Sequence, residues 1–135
     1  DTNDLPPARD LQRDGRLAAN RGLPILLMIS QDHCPFCEMM KREVLGPMQL
    51  SGEYADRIIL RVLHIDQGVE ITDFQGRRQQ AAVFARHYGT TLTPTLLLLG
   101  PQGEELAQRI VGINTVEMFG FYLDTAIDEA GKNLH

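Results

Sequence analysis

The two cysteines of the chain, Cys34 and Cys37, stand close together in the segment SQDHCPFCEMMK, residues 30–41. Thiols at this spacing can form a structural disulfide, contribute to a metal site or work as a redox pair. A disulfide that closes so small a ring removes little entropy from the unfolded chain, so it would be a weak staple. A structural zinc site needs four ligands, whereas this segment offers two cysteines and the neighbouring His33. A redox pair is the remaining interpretation.

Length and composition limit the classes of protein that the chain can belong to. With 135 residues, 43% of them hydrophobic and 23% charged, it is long enough to bury a core, and we expect one domain over residues 1–135. A net charge of −5 without a long basic run argues against a nucleic-acid partner. The longest apolar runs, such as residues 24–29, are far too short to cross a bilayer, so no membrane partner is expected. The first residue is Asp1 rather than Met, which is consistent with removal of a leader.

The hydrophobic pattern predicts elements in the order α-β-α-β-α-β-β-α. Gly46-Pro47 is predicted to end the second helix, Gly76 to turn a short insertion at residues 67–78, and Thr115 to cap the last helix. Strands and helices that alternate first and finish with a hairpin predict an α/β fold, a mixed central sheet with helices on both faces. The helices are predicted at about residues 7–21, 35–45, 79–88 and 115–130, and the strands at residues 24–30, 57–66, 93–100 and 104–111.

This order of elements places Cys34 at the start of a helix that follows a buried strand. Pro35 suits the first helical position, where its missing N–H would have no partner. The free N–H groups and the positive end of the helix dipole favour a thiolate at Cys34, and such sites lower a cysteine pKa from ~8.5 to between roughly 3.5 and 7.5. Cys37 lies one turn further on and is expected to be more buried. We therefore expect Cys34 to be the attacking sulfur and Cys37 the resolving sulfur.

Thr93 and Pro94 stand directly before the apolar run LLLL. Proline cannot donate a hydrogen bond to a neighbouring strand, so it is unfavourable inside a sheet. On its own this position predicts a trans proline at a strand start, because only about 5–6% of X–Pro bonds in folded proteins are cis. Together with the upstream cysteine pair, a cis bond is the expectation.

The strand–CPFC–helix segment, Thr93-Pro94-Thr95 before a strand, and a hairpin ending at Val111-Gly112 resemble the thioredoxin superfamily. The resemblance runs from about residue 8 to residue 128. Within the superfamily, the long first helix and the excursion after HID are most similar to periplasmic thioredoxin-related proteins (SoxW-like), with kinship to the Dsb proteins. The resemblance implies a thioredoxin fold, with Cys34 as the nucleophile and Cys37 as the resolving thiol. It also implies a cis Pro94 that packs against the cysteine pair. Thr93 would then offer its backbone to an extended substrate segment.

The chain departs from the usual thioredoxin pattern at several positions. Thioredoxins read CGPC after a tryptophan, whereas this chain has His33 before the pair and Pro35-Phe36 within it. Thioredoxins also have a buried aspartate in the first strand, paired with a lysine in the next strand. The corresponding residues of this chain are Met28 and Val62. Either a different group, Glu38 or a water, accepts the proton of the resolving thiol, or the reaction runs slower.

The neighbours of the pair each carry two interpretations. His33, when protonated, would favour the thiolate, or it is an exposed loop residue with little effect. Glu38 is a negative neighbour or simply a solvated helix residue. Phe36 belongs to an exposed apolar rim that meets substrate, or it packs in the core. His64 and His87 are interpreted as structural or surface residues and not as ligands.

The leading functional prediction is a thiol–disulfide oxidoreductase that reduces protein disulfides and needs a partner to recharge it. A disulfide donor, either an oxidase or an isomerase, is the alternative, although isomerases of this fold carry a dimerisation domain for which there is no spare length. A Cu(I) chaperone using Cys34, Cys37 and His33 is a further alternative, and a redox-inert binding module is disfavoured by the intact pair. A monomer without cofactor or bound metal is expected. Resemblance and the Asp1 start favour the periplasm over the cytoplasm.

Overall fold

The computed structural model describes residues 5–90, 92–112 and 116–135. The cap predicted at Thr115 and the first residue, Asp1, lie outside the described residues. The elements are α1 (Leu11–Arg21), β1 (Ile25–Ser30), α2 (Pro35–Met40), a π-helical segment (Lys41–Leu45), α3 (Gly46–Ser51), β2 (Ile59–His64), β3 (Glu70–Thr72), β4 (Arg78–Gln80), α4 (Ala81–His87), β5 (Thr95–Leu99), β6 (Ile110–Val111) and α5 (Val116–Leu134).

The central sheet has the strand order β2-β1-β5-β6. The β1–β2 pair is parallel, and β5 is antiparallel to both β1 and β6. The predicted mixed sheet is therefore confirmed. The short insertion is also confirmed, because β3 and β4 pair as a hairpin that passes through Gly76 with a φ of 86°.

Two apolar layers lie on the two faces of this sheet, because alternate side chains of β1 point in opposite directions. Leu26 and Met28 pack with residues of α2, α3 and α5, whereas Leu27 and Ile29 pack with residues of α1 and α4. All six residues of β1, Ile25–Ser30, are buried, as expected for a strand covered by helices on both sides.

The first helix begins at Leu11 and not near Pro7 as predicted. Asp10 is its N-cap, and the carboxylate accepts a hydrogen bond of 3.0 Å from the backbone N–H of Arg13. The preceding segment is extended because it pairs with the outer edge of β2. The N–H of Ala8 donates to the carbonyl of Val62, and the N–H of Val62 donates to the carbonyl of Pro6.

The second helix does not end at Gly46-Pro47, which corrects the prediction. The N–H of Gly46 donates to the carbonyl of Lys41, five residues back, so the chain forms a π turn and continues as α3 to Ser51. This wider turn accommodates Pro47, which has no N–H for the α-helical ladder. A Cβ at Gly46 would lie 2.8 Å from the Lys41 carbonyl oxygen, so a larger residue there would force the helix backbone to shift.

The fourth strand is much shorter than the predicted 104–111, because only Ile110–Val111 pairs regularly with β5. An isolated bridge joins Glu105 to Leu99, so three steps along β5 are matched by five steps along its partner. The extra residues form a bulge. Leu106 and Ala107 both pack in the same apolar layer, whereas strict strand alternation would send two consecutive side chains to opposite faces.

Asp73 holds the inserted hairpin together from a buried position, and its loss is expected to destabilise the protein. Its carboxylate accepts from the N–H groups of Gln75 and Arg77 and from the Gln79 amide. Burial raises its pKa, but these hydrogen bonds lower it further, so the net shift is downward. Asp73→Ala should lower the free energy of unfolding by roughly 2–3 kcal/mol in urea titrations at pH 7.

This contribution is expected to be present above pH ~3.9 and to be lost as the pH falls through the lower pKa of the folded state. Asp56→Ala is the matched control, because the Asp56 side chain is 99% exposed. If the two variants proved equally stable at pH 7, the assigned role of the Asp73 hydrogen bonds would be wrong.

Candidate active site

The cysteine pair sits where β1 leads into α2. Cys34 is the N-cap of α2 with an extended backbone, and Pro35 occupies the first helical turn. The two sulfurs are joined in a disulfide with a Cα–Cα distance of 5.2 Å. The backbone N–H of Cys37 donates to the Cys34 sulfur over 3.2 Å. The helix start thus directs a backbone donor at Cys34, which favours negative charge on that sulfur in the reduced state.

The two sulfurs differ in their access to solvent. Cys34 is partly exposed, whereas Cys37 is 0% exposed. Cys37 packs in the apolar layer that contains Met28 and Val62, and these two residues are direct neighbours in the register of β1 and β2. The positions that hold the acid and lysine in thioredoxins are therefore apolar here, so neither Met28 nor Val62 gives Cys37 a charged partner.

The loop before β5 lies against the cysteine pair. Because β1 and β5 are antiparallel neighbours, the end of β1 and the start of β5 meet at the same edge of the sheet. The Thr93–Pro94 peptide bond is cis, and the carbonyl oxygen of Thr93 lies 3.7 Å from the Cys34 sulfur. The Thr93 hydroxyl donates to the Gln31 side-chain oxygen over 2.8 Å. Sites 59 residues apart in the chain are thus brought together.

Exposed apolar side chains surround this end of the molecule. Phe36 is 54% exposed, which favours the rim interpretation over the core interpretation. Leu92 and Val111 are 64% and 50% exposed. Gly112, which follows Val111, donates its N–H to the carbonyl of Pro94. The end of β6 therefore lies against the proline loop, which in turn contacts Cys34. Leu92 and Val111 are not among the rim residues predicted from the sequence, although Leu92 directly precedes Thr93 and Val111 belongs to the end of the predicted hairpin.

His33 and Glu38 flank the pair in different ways. His33 is an exposed loop residue with a φ of 57°, a left-handed conformation that is uncommon outside glycine. The Glu38 side chain is 49% exposed, and its carboxylate lies 3.6 Å from the Lys41 ammonium. Glu38 is therefore a partly solvated carboxylate at the helix surface.

Lys41 and His64 form a polar contact that the sequence analysis missed. The Lys41 ammonium lies 3.3 Å from Nε2 of His64, and the Lys41 side chain is only 6% exposed. Helical spacing could have indicated the position of Lys41, because Lys41 is four residues after Cys37 and thus on the same face of the helix. A strand signal existed as well, because His64 is two residues after Val62 and points to the same side of β2.

A third group of side chains has the composition of a cation site. Ligand atoms of Asp32, His64 and Asp66 lie within 4.8 Å of one another. However, the ammonium of Lys41 can only donate, so Nε2 of His64 is the acceptor and Nδ1 carries the proton. Asp66 already accepts from the Asp32 N–H with both oxygens. The group is thus a hydrogen-bonded loop support, and its imidazole offers no free lone pair to a metal.

The pKa of His64 is lowered, first by burial and then by the Lys41 ammonium, against the opposing effect of the Asp32 and Asp66 carboxylates. His64 is therefore neutral at pH 7. Its Nδ1 lies 3.4 Å from an Asp32 carboxylate oxygen, a contact outside hydrogen-bond geometry.

The sequence of this chain matches the model of a known protein family. A family model described as a thioredoxin-like domain matches residues 11–127. The chain belongs to the thioredoxin-like family. Among curated protein sequences, none matches significantly. A thioredoxin-like domain that carries a disulfide at CxxC spacing supports a thiol–disulfide oxidoreductase.

Solved structures of thioredoxin-like proteins share the fold. A thioredoxin from Thermus thermophilus has a TM-score of 0.67 and 22% identity, over 94% of this chain and 91% of that one. The periplasmic thioredoxin SoxS from Paracoccus pantotrophus, in its reduced form, has a TM-score of 0.55 and 19% identity, over 79% and 98%. The oxidised C-terminal domain of DsbD from Neisseria meningitidis has a TM-score of 0.57 and 12% identity, over 86% and 89%.

One of these solved structures, SoxS, is described as a periplasmic thioredoxin. Within the described residues, none of the helices combines the length and the apolar character needed to cross a lipid bilayer.

Proposed function

We propose that this thioredoxin-like protein reduces disulfides in other proteins, with Cys34 as nucleophile and Cys37 as resolving thiol. The observation that carries the proposal is the asymmetry of the pair. Cys34 is accessible at a helix start and receives a backbone N–H, whereas Cys37 is fully buried. Only Cys34 can reach a sulfur on another protein, and a helix start is where a thiolate is most easily held.

Reduction then proceeds in two exchange steps. The Cys34 thiolate attacks one sulfur of the substrate disulfide, forming a mixed disulfide and releasing the other substrate sulfur as a thiolate. Cys37 then attacks the Cys34 sulfur, which closes the intramolecular disulfide and releases the second substrate sulfur. The substrate gains two electrons and the cysteine pair loses two, so a thiol-donating redox partner is needed to regenerate the dithiol.

Substrate binding is assigned to the loop before β5 and the apolar rim. The Thr93 carbonyl lies beside the reactive sulfur and can accept a hydrogen bond from an extended substrate backbone. Phe36, Leu92 and Val111 surround that position with exposed apolar surface, where substrate side chains can lose contact with water. These contacts are sequence-tolerant, which suits a protein that acts on many disulfides. We further propose that the protein acts as a monomer in the periplasm, a location supported by the likeness of its fold to the periplasmic thioredoxin SoxS.

The equilibrium reduction potential of the pair tests the direction of electron flow. Titration against a thiol–disulfide buffer is expected to give a value near the thioredoxin region of ~−270 mV. A value near ~−120 mV, as in DsbA, would instead show that the reduced form is strongly stabilised and that the protein donates disulfides. Cys37→Ser is the control, because it retains Cys34 but has no intramolecular couple to titrate.

A further inference from the structure

Lys41 is a buried cation in a place where the proposed mechanism does not yet use one. Its side chain is 6% exposed, and lysine is almost never buried without a partner. The two groups that face its ammonium are the half-exposed Glu38 carboxylate at 3.6 Å and Nε2 of His64 at 3.3 Å. Since His64 is neutral, the charge of Lys41 is only partly compensated at this site.

His64 fixes the position of the Lys41 ammonium. Its Nε2 must accept from Lys41, because an ammonium has donors only. Its other ring nitrogen faces the Asp32 carboxylate, and Asp32 is itself held by Asp66 and Gln67. The Asp32 carboxylate thus lies beside the ring nitrogen that does not face Lys41, at 3.4 Å and outside hydrogen-bond geometry.

The backbone places this cation next to the resolving cysteine. The N–H of Lys41 donates to the carbonyl of Cys37, so the two residues are one helical turn apart on one face. Long side chains on a helix lean towards its N-terminus, which carries the Lys41 stem over the turn that holds Cys37. Ser30, opposite His64 in the β1–β2 register, adds a fully buried hydroxyl that has no hydrogen-bond partner among the residues that the structure describes. Lys41, His64 and Ser30 therefore form a polar cluster next to the apolar layer that contains Cys37.

We propose that Lys41, held by His64, is a positioning residue for the resolving step, and that its ammonium favours the thiolate form of Cys37. The proposal deepens, and rests on, the function proposed above. A thiol among Met28 and Val62 resists ionisation because a buried anion is poorly solvated. Because the Lys41 backbone is one helical turn from Cys37, its ammonium offsets part of that cost. The Glu38 carboxylate on the same helix and Asp32 in the loop after β1 oppose it, and Arg9 of the N-terminal segment lines the same cavity of about 420 Å³.

The chemical step is the closure of the protein disulfide. Cys37 gives up its proton to solvent or to a base before attack, and its thiolate displaces the substrate thiolate from Cys34. The new S–S bond joins Cys37 to Cys34, the bond to the substrate sulfur breaks, and the released thiolate takes up a proton from water. Lys41 keeps its own proton throughout and contributes charge alone.

The test separates the two steps with a chromogenic aromatic disulfide at substoichiometric concentration. In the reduced wild-type protein, Cys34 attack releases a first coloured thiolate and Cys37 resolution releases a second one. In Lys41→Met, which preserves the apolar stem, the first phase should stay within about twofold. The pH midpoint of the second phase should rise by about one unit, and its rate at pH 7 should fall about tenfold. Arg42→Met, which removes an exposed neighbouring cation, should change neither phase.

Other outcomes have separate meanings. An unchanged pH midpoint in a folded Lys41→Met variant would overturn the inference while leaving the proposed function intact. Absence of the second phase in the wild-type protein would overturn the proposed function itself. His64→Gln provides a second variant in which Lys41 is retained but loses its oriented acceptor. It should shift the second-phase midpoint in the same direction by a smaller amount, and no shift would contradict the role of His64.

Discussion

Replacing Cys34 by serine is expected to abolish disulfide reduction, a loss of roughly a thousandfold or more in kcat/KM. A serine hydroxyl at this position cannot form the mixed disulfide, and the buried Cys37 cannot reach substrate in its place. Cys37→Ser should also stop turnover, but for a different reason. Its Cys34 still attacks, so the protein should accumulate as a stable covalent adduct with the substrate.

Mass spectrometry of each variant, after mixing with a disulfide-containing protein under native conditions, distinguishes the two roles. Cys37→Ser should gain the mass of one substrate chain, and a thiol reductant should remove it. Cys34→Ser should gain none. The reverse pattern would show that Cys37 is the nucleophile and would contradict the assignment based on exposure. Both substitutions change a single atom, so each serves as the steric control for the other.

Introducing an aspartate at Met28 is expected to cost about 4 kcal/mol of stability at pH 8. Met28 is 0% exposed and lies beside Val62, so a carboxylate there would have no cationic partner on the neighbouring strand. The pKa of the new carboxyl group should be raised by desolvation. A raised pKa makes the loss smallest below pH ~3.9 and larger as the pH rises through the folded-state value.

Urea unfolding at pH 5 and at pH 8 checks this expectation, with the larger loss at pH 8. Met28→Leu is the volume-conserving control and should cost less than about 1.5 kcal/mol. Adding Val62→Lys to the aspartate variant should recover part of the loss, because the acid then has a cation opposite it. An equal loss at both pH values would contradict charge burial as the cause.

The local sequence pattern was sufficient for the elements that carry the reaction. The buried strand Ile25–Ser30 and the helix that begins after Cys34 are indicated by an uninterrupted apolar run and by a proline at the first helical position. The meeting of Cys34 with Thr93 depends on strand order, which no local pattern contains. The family resemblance provided that contact, because it implied that the proline loop packs against the pair.

Predictions failed where a local rule competed with packing. Gly-Pro commonly ends a helix, but here the carbonyl of Lys41 bonds five residues ahead, and the helix passes through Gly46-Pro47. The predicted strand before Val111 contains a bulge, because Leu106 and Ala107 are both needed in the core. Neither outcome can be derived from propensity alone, because the first depends on the hydrogen bond from Gly46 to Lys41 and the second on the packing of Leu106 and Ala107 in one layer.

The contact between Lys41 and His64 shows a different limit. Each residue lay on a recognisable face, and the sequence positions of Met28 and Val62 already showed that the usual charged pair was absent. The sequence does not show how closely the second helix packs against the end of β2. A buried lysine becomes informative only when the elements that exclude water from it are in place.

The pairing of Pro6 and Ala8 with Val62 also bears on how molecules of this protein meet one another. An open strand edge is a template for another chain, and it promotes intermolecular sheets and precipitation. Here the N-terminal segment occupies the outer side of β2, and two prolines within it offer no free N–H. At the opposite margin, β6 is only two residues long. Within the described residues, the margins of the central sheet are thus shielded, and this shielding disfavours assembly of separate molecules along their own strands.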